Sequence, residues 1–186
     1  NIEERYSSRW LPPASGMREY IHSLRAIFHA FRTGTPLAFV GEHYRFTRLQ
    51  PFFNPGPIDA PDVPLALGAV GPRMLALVGE CADGIHTHPS NTSPRYLREA
   101  IVPVVNEGML SRDPGLAQPF IAANVLVAMG ADDAGVATER ERFRGVLAFL
   151  FSTPAYWPSL RLFGWESLGE TLLQLTREKR WQEMPS

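Results

Sequence analysis

The sequence contains one cysteine, one lysine and no long apolar run. A lone Cys81 excludes an internal disulfide and a cysteine zinc cluster, and it is typical of a reducing compartment, so we expect a cytoplasmic protein. No apolar run reaches the ~18 residues that a membrane helix needs. The first residues also lack the basic and apolar segments of a signal peptide. We therefore expect no association with a membrane.

The chain also has no excess of positive or negative charge. The 18 basic and 19 acidic residues leave a formal net charge of −1, which provides no general field for nucleic acid, so we expect no nucleic-acid partner. Seventeen of the basic residues are arginine, a bias that indicates a GC-rich genome. Hydrophobic residues make up 45% of the chain, as in ordinary globular proteins. Its 186 residues predict a single domain over 1–186.

The first long element predicted by the sequence is an amphipathic helix. Pro12 and Pro13 are expected to delay its start until Ser15 can act as the N-cap. Apolar residues then recur at intervals of three and four as far as Phe31, which places them on one face of a helix. Gly34 is expected to end it.

A hairpin and a loop are predicted next. Between Leu37 and Leu49 apolar and polar residues alternate loosely around Gly41, which indicates a small β-hairpin. The stretch 51–64 contains five prolines and is predicted to be an extended loop.

The remainder of the sequence alternates between strands and helices. Such alternation predicts a parallel sheet with right-handed crossovers. Three strands are too few for a closed (β/α)8 barrel, which takes ~250 residues. We expect an α/β fold, a partial (β/α)8 TIM barrel with a small β-hairpin insertion; a small open α/β sheet is the alternative. The predicted elements are strands at 63–68, 84–88 and 120–129, and helices starting at Pro72, after a Ser93 cap, after an Asp132 cap, and over 168–181.

The turn after the first of these strands has the composition of a phosphate-binding loop. Two glycines allow a close approach of the backbone, and the helix that opens at once directs free N–H groups and a partial positive charge toward an anion. An arginine adds a formal charge. A strand-to-helix turn also needs glycine for its geometry, and this alternative stays open. The candidate cofactor-binding residues are Gly68, Ala69, Val70, Gly71, Pro72 and Arg73.

The second strand ends in His86, Thr87 and His88. Residues two apart on a strand share a face, so both imidazoles are expected on the same side, near the glycine turn. A metal ion would need a third protein ligand, and the other histidines lie on the first helix and the hairpin, so we expect no metal. Hydrogen bonding to a substrate or cofactor and simple partial burial remain the two interpretations of this pair. The three residues are candidate substrate-binding residues.

Two other groups give weaker indications. The aromatic residues around Pro154 and Pro158 are more typical of a core or an interface than of a flavin platform; they are Tyr156, Trp157, Phe163 and Trp165. Glu80 and Asp83 lie at a helix end, and nothing in their spacing supports a paired-carboxylate site.

Several segments in order resemble one family. Residues 39–44, 64–74, 79–84 and 93–99 resemble the luciferase-like monooxygenase superfamily, in particular the branch of deazaflavin-dependent oxidoreductases that use coenzyme F420. The resemblance covers most of the chain. It implies a (β/α)8 barrel enzyme that binds F420, or FMN, at the C-terminal rim and transfers hydride between the ring and a small organic substrate.

The resemblance also implies roles for parts of the chain. It places the phosphate-bearing cofactor tail on the turn 68–73 and the ring or substrate against 86–88. The chain corresponds to about strands five to seven with flanking helices, so we expect a fragment that is inactive alone and whose catalytic residues are unknown. The superfamily is commonly dimeric, which suggests a homodimer. Alternatives left open are an FMN-dependent monooxygenase, a non-catalytic flavin-binding or interaction protein, and a metal-dependent hydrolase using His86 and His88.

Overall fold

The computed structural model describes residues 2–57, 59 and 63–184. The proline-rich loop predicted for 51–64 therefore lies partly outside the described residues, at 58 and 60–62. Among the described residues, no helix combines the length and apolar character needed to cross a membrane.

Short strands alternate with helices along the chain, as expected for an α/β protein. The strands are β1 (Phe39–Val40), β2 (Arg45–Phe46), β3 (Ala66–Gly68), β4 (Gly84–His86) and β5 (Phe120–Ala122). The α-helices are α1 (Ile2–Tyr6), α2 (Pro13–Thr33), α3 (Pro72–Cys81), α4 (Pro94–Tyr96), α5 (Val102–Met109), α6 (Asp133–Phe151), α7 (Trp157–Phe163) and α8 (Glu166–Arg177). A π-helical segment, Leu97–Ile101, joins α4 to α5, and 3-10 turns lie at Pro51–Phe53, Pro89–Asn91, Pro154–Tyr156 and Trp181–Glu183.

Two small sheets form. β1 and β2 pair antiparallel, which confirms the predicted hairpin. The other sheet has the order β3-β4-β5. Between β4 and β5, the Phe120 N–H donates to the Asp83 carbonyl, and further along the Thr87 N–H donates to the Ala122 carbonyl. The bonded positions therefore advance in the same direction on both strands. This is the slanted ladder of parallel strands, so the predicted parallel sheet is confirmed, and its three strands do not close a barrel.

The chain divides into two compact units. Unit 1 contains α1, α2, the hairpin, most of α3 and the later part of α5. Unit 2 contains the turn after β3, the segment from β4 into α5, and helices α6 to α8. Unit 1 lies within 1–67, 73–84 and 105–120, and unit 2 within 68–72, 85–104 and 121–186.

Ion pairs in unit 1 join α2 to the end of α3. The Arg18 guanidinium donates two hydrogen bonds to the Glu80 carboxylate, and Arg25 donates to Asp83 at 2.8 Å. The second oxygen of Asp83 accepts from the Leu65 N–H at 2.7 Å. Each of the two carboxylates is therefore paired with an arginine.

Glycine permits the close packing of α3 and α5 in unit 1. A Cβ at Gly79 would collide with the Val105 carbonyl, and one at Gly108 would collide with the Ala76 carbonyl. At these positions the neighbouring backbone leaves no room for any side chain, so the glycines have a packing role.

Unit 2 buries a small apolar core between helices. Ala148 of α6, Leu172 of α8 and Met184 are buried together, with Phe151 and Leu175 packed against them. The Asp132 side chain caps α6 by accepting from the Gly135 N–H, as predicted. Ser93 caps α4 in the same way, by accepting from the Tyr96 N–H.

Several predicted boundaries were wrong. The strand predicted for 63–68 begins at Ala66, and the strand predicted for 84–88 ends at His86, so Thr87 and His88 lie beyond β4. Helix α2 begins at Pro13 and not after Ser15. Proline is tolerated there because the backbone N–H that it lacks would have no hydrogen-bond partner in the first turn of a helix. The strand predicted for 120–129 ends at Ala122, where the ladder gives way to side-chain bonds made by Asn124. The last helix was predicted for 168–181, whereas α8 ends at Arg177, and α7 was not predicted.

Candidate functional site

The ends of β3 and β4 define one edge of the parallel sheet. The two strands are neighbours and run in the same direction, so their last residues, Gly68 and His86, lie at the same edge. In parallel α/β folds, ligands bind at the carboxyl ends of the strands. The two candidate segments found in the sequence therefore leave the sheet side by side, and both stretches 68–72 and 86–88 belong to unit 2.

The turn after β3 carries glycines that the protein itself does not require. A Cβ built at Gly68 or at Gly71 meets no atom within 4 Å. Neither residue has the positive φ that favours glycine, in contrast to Gly34 (φ +70). Neither packing nor backbone conformation accounts for these two glycines, unlike Gly79. Their exposed backbone leaves open space of the kind that a ligand in close contact would fill.

Helix α3 starts at the end of this turn. Pro72 occupies its first position, and Gly71, Pro72 and Arg73 are all exposed. The first N–H groups of a helix have no partner within it, and they carry the positive end of the helix dipole. The turn thus joins exposed amide groups and a cationic side chain on one short segment. Phosphate is the ligand group that best matches this combination.

The three residues at the end of β4 have alternating environments. His86 is exposed, Thr87 is 1% exposed and His88 is partly buried. The Thr87 hydroxyl accepts a hydrogen bond from the Asn124 N–H at 3.1 Å, and the Thr87 carbonyl accepts from the Asn124 side-chain amide at 2.8 Å. Thr87 is therefore engaged inside unit 2, where it joins the chain after β5 to the end of β4.

His88 is the most constrained of the predicted site residues. Its ring stacks on Tyr156 with 4.3 Å between the ring centres and 4° between the planes. Its Nδ1 lies 2.8 Å from the Ser90 hydroxyl. Burial lowers the pKa of His88, so the imidazole is neutral at pH 7.

The aromatic residues near Pro154 do not form a single platform. Phe163 stacks on Trp165 with ring centres 5.0 Å apart, and the Trp157 indole N–H donates to the Phe151 carbonyl at 2.8 Å. Tyr156 stacks on a predicted site residue, His88.

Unit 2 also contains two adjoining cavities beyond β4. The smaller, about 360 Å³, is lined by residues of the turn that follows His88 and by parts of α6, α7 and the chain after β5. The larger, about 770 Å³, lies along α6 and α8 and is lined mainly by apolar residues, together with Arg140 and Arg144. They share five lining residues and so have a wall in common. These shared residues are Leu126, Leu147, Phe151, Leu160 and Trp165.

A metal centre and a reactive thiol find no support in the part of the chain that the structure describes. It holds no group of three or more His, Cys, Asp or Glu side chains that could bind a metal ion. Burial raises the pKa of Cys81 to about 11, so this thiol stays protonated at neutral pH.

Sequence analysis missed the residues that hold His88 in place. Ser90, Asn91 and Tyr156 were not singled out with it. The sequence His88-Pro89-Ser90 does carry a local indication, because a serine two residues after a histidine at a proline turn is well placed to bond the ring. The stack on Tyr156 joins residues 68 positions apart, and no local pattern indicates such a contact.

The fold and this edge define a class of protein. A family model described as luciferase-like monooxygenase matches residues 1–186, and the chain belongs to that family of oxidoreductases. The resemblance to the luciferase-like monooxygenase family seen in the sequence is thereby confirmed at the level of the family.

Several proteins of known sequence are similar to the chain. An uncharacterized protein of Mycobacterium bovis is 39% identical over 184 residues, covering 99% of this chain and 54% of the relative. A 5,10-methylenetetrahydromethanopterin reductase of Methanopyrus kandleri is 28% identical, over 65% of this chain and 32% of the relative. A putative coenzyme F420-dependent oxidoreductase of Mycobacterium tuberculosis is 34% identical, over 45% and 25%. The chain thus spans about half the length of the first of these relatives.

Proposed function

We propose that the protein containing this chain is an F420-dependent oxidoreductase, in which the turn 68–73 binds the phosphate-bearing tail of the cofactor. The observation that carries the proposal is the open space at Gly68 and Gly71. Distant relatives named for F420 support the choice of cofactor. Bound F420 would supply the ring that exchanges hydride with an organic substrate.

The chemistry of the turn supports an anionic tail. Backbone N–H groups hold phosphate without the conformational freedom of long side chains, and the dipole of α3 favours negative charge at its N-terminus. Arg73 adds a guanidinium, which suits phosphate oxygens because its N–H groups are fixed in one plane. A methyl group at Gly71 would occupy the space through which an oxygen reaches these amides.

Residues at the end of β4 would then face the reacting part of the ligand. His86 is exposed at this edge, and His88 offers a neutral ring held in one orientation. Thr87 serves them indirectly, because its buried hydroxyl fixes the chain between the two histidines. The mainly apolar cavities beyond this point would offer the ligand a hydrophobic surface.

Fluorescence titration with F420, and in parallel with FMN, tests the proposal on the polypeptide that contains this chain. We expect saturable binding of F420 that weakens in an Arg73→Gln variant. The matched control is Arg177→Gln, because Arg177 is also exposed but lies at the end of α8 and lines neither cavity. Preference for FMN would favour the monooxygenase alternative. Binding of F420 with no hydride transfer to any substrate would favour a non-catalytic binding protein, and binding of neither would refute the proposal.

A further inference from the structure

The larger cavity of unit 2 combines an apolar wall with two cations. Its volume of about 770 Å³ lies within the range of ~300–1,000 Å³ that is typical of sites for small molecules. Its lining residues are apolar except for Arg140 and Arg144. Neither this cavity nor the smaller one beside it has an acidic residue among its described lining residues. The charge around this space is therefore of one sign.

Both arginines lie on the face of α6 that lines the cavity. Residues three or four apart on a helix share a face, and the lining residues of α6 follow that spacing. They include Val136, Arg140, Phe143, Arg144, Leu147 and Phe151. Arg140 and Arg144 are exposed, whereas the next lining residues along the helix, Leu147 and Ala148, are partly buried and buried. The cavity thus has cations toward solvent and apolar side chains toward the core.

Arg140 has no partner among the residues that the structure describes. The neighbouring acids on α6 are paired with other arginines. Glu139 accepts from Arg142 at 2.7 Å, and Glu141 lies 3.1 Å from Arg144. One guanidinium is therefore left free at the cavity, and it matches a ligand that carries a single negative charge.

We propose that this cavity binds a long-chain carboxylic acid, with the alkyl chain along α6 and α8 and the carboxylate on Arg140. The planar guanidinium offers parallel N–H groups that match the two oxygens of a carboxylate. The apolar wall removes methylene groups from water, which is the main source of affinity for an alkyl chain. None of the described residues 68–73 lines either cavity, so binding does not require a cofactor on that turn. Only a role of this ligand as substrate would rest on the proposed function.

Isothermal titration calorimetry of the polypeptide that contains this chain tests the site, with dodecanoate below its micelle concentration as the probe. We expect saturable binding that weakens about fourfold for each methylene removed, as measured with decanoate and octanoate. Dodecanol should bind about fivefold more weakly than dodecanoate, and dodecyltrimethylammonium more weakly still. Equal affinity for the carboxylate and the ammonium compound would overturn the inference. Absence of dodecanoate binding would also overturn it, because another part of the polypeptide or a second copy would then fill the cavity.

Variants of Arg140 locate the carboxylate. Arg140→Gln should weaken dodecanoate binding about fivefold and make dodecanoate and dodecanol bind equally. Arg140→Lys keeps the positive charge and should keep a preference for the carboxylate. The matched control is again Arg177→Gln, because Arg177 is exposed and lines neither cavity, so its affinities should be unchanged. If Arg140→Gln binds dodecanoate as tightly as Arg177→Gln does, the inference is wrong.

A substitution on the apolar wall tests the site without relying on Arg140. Val127 lines the larger cavity and is 55% exposed, so Val127→Glu adds a negative charge there with little effect on folding. We expect weaker binding of dodecanoate and tighter binding of dodecyltrimethylammonium, and unchanged affinities for both would contradict the placement of the ligand. If this variant fails to fold, the Arg140 variants still decide. All titrations are made without F420, so failure of the F420 titration refutes the proposed function and leaves this inference to be decided separately.

Discussion

Adding one methyl group to the turn after β3 separates a ligand-binding role from a folding role. In Gly71→Ala the new Cβ meets no protein atom within 4 Å, and the residue does not have a positive φ. A glycine-to-alanine change at such a position stabilises a protein by ~0.4–1 kcal/mol, because the unfolded chain loses freedom. The same arguments apply to Gly68→Ala. We therefore expect the free energy of unfolding of each variant to equal or exceed that of the unmodified chain.

Ligand binding is expected to change in the opposite direction. A methyl group in this space would keep phosphate oxygens away from the backbone N–H groups at the start of α3. Loss of one hydrogen bond to a charged group costs ~1.5–3 kcal/mol. At about 1.4 kcal/mol per tenfold change, this corresponds to roughly a 10- to 150-fold weaker Kd for F420.

Urea unfolding and fluorescence titration of the same preparations provide the assay. Gly79→Ala is the contrasting variant, because its Cβ would collide with the Val105 carbonyl, and strain of this kind typically costs ~1–3 kcal/mol. The reasoning is refuted if Gly71→Ala destabilises as much as Gly79→Ala does, or if it leaves the affinity for F420 unchanged.

Three further predictions concern stability and reactivity. Thr87→Val keeps the shape of a buried side chain but leaves the Asn124 N–H unpaired, so the free energy of unfolding in urea should fall by ~1–3 kcal/mol; no change would contradict it. The pKa of Glu80 is lowered mainly by its hydrogen bond from Arg18, so this pair stabilises the fold above the unfolded-state pKa of glutamate and loses that effect as pH falls through the folded-state value. Arg18→Met should thus lower the free energy of unfolding in urea by ~0.5–1 kcal/mol at pH 7. The loss should be smaller when unfolding is measured below pH ~4, and an equal loss at both pH values would contradict the reasoning. Because burial raises the pKa of Cys81 to about 11, alkylation by iodoacetamide at pH 8, followed by mass spectrometry, should be at least about 100-fold slower than in urea; equal rates would contradict it.

Local chemistry explains which parts of the fold could be predicted from the sequence. Gly34, Ser93 and Asp132 end or begin helices through bonds to residues within four positions, so their patterns suffice. The end of β5 could not be found in this way. The apolar run continues beyond Ala122, but Asn124 bonds the end of β4 and diverts the chain, and Val125 is left 63% exposed.

The candidate site likewise contains residues that the local sequence indicates and residues that only the structure reveals. The turn after β3 could be identified from the sequence because each residue type indicates a local property. Glycine indicates access to the backbone, proline the start of a helix, and arginine a positive charge. Its neighbours depend on distant contacts. Tyr156 stacks on His88 from 68 positions away in the sequence, so no local pattern indicates this contact.

A structure of the polypeptide that contains this chain, determined with F420 bound, tests the central claim most directly. We predict phosphate oxygens within hydrogen-bonding distance of backbone N–H groups between Gly68 and Arg73, with no side chain intervening at Gly68 or Gly71. A cofactor tail anchored on another segment, with this turn in contact with solvent alone, would contradict the account.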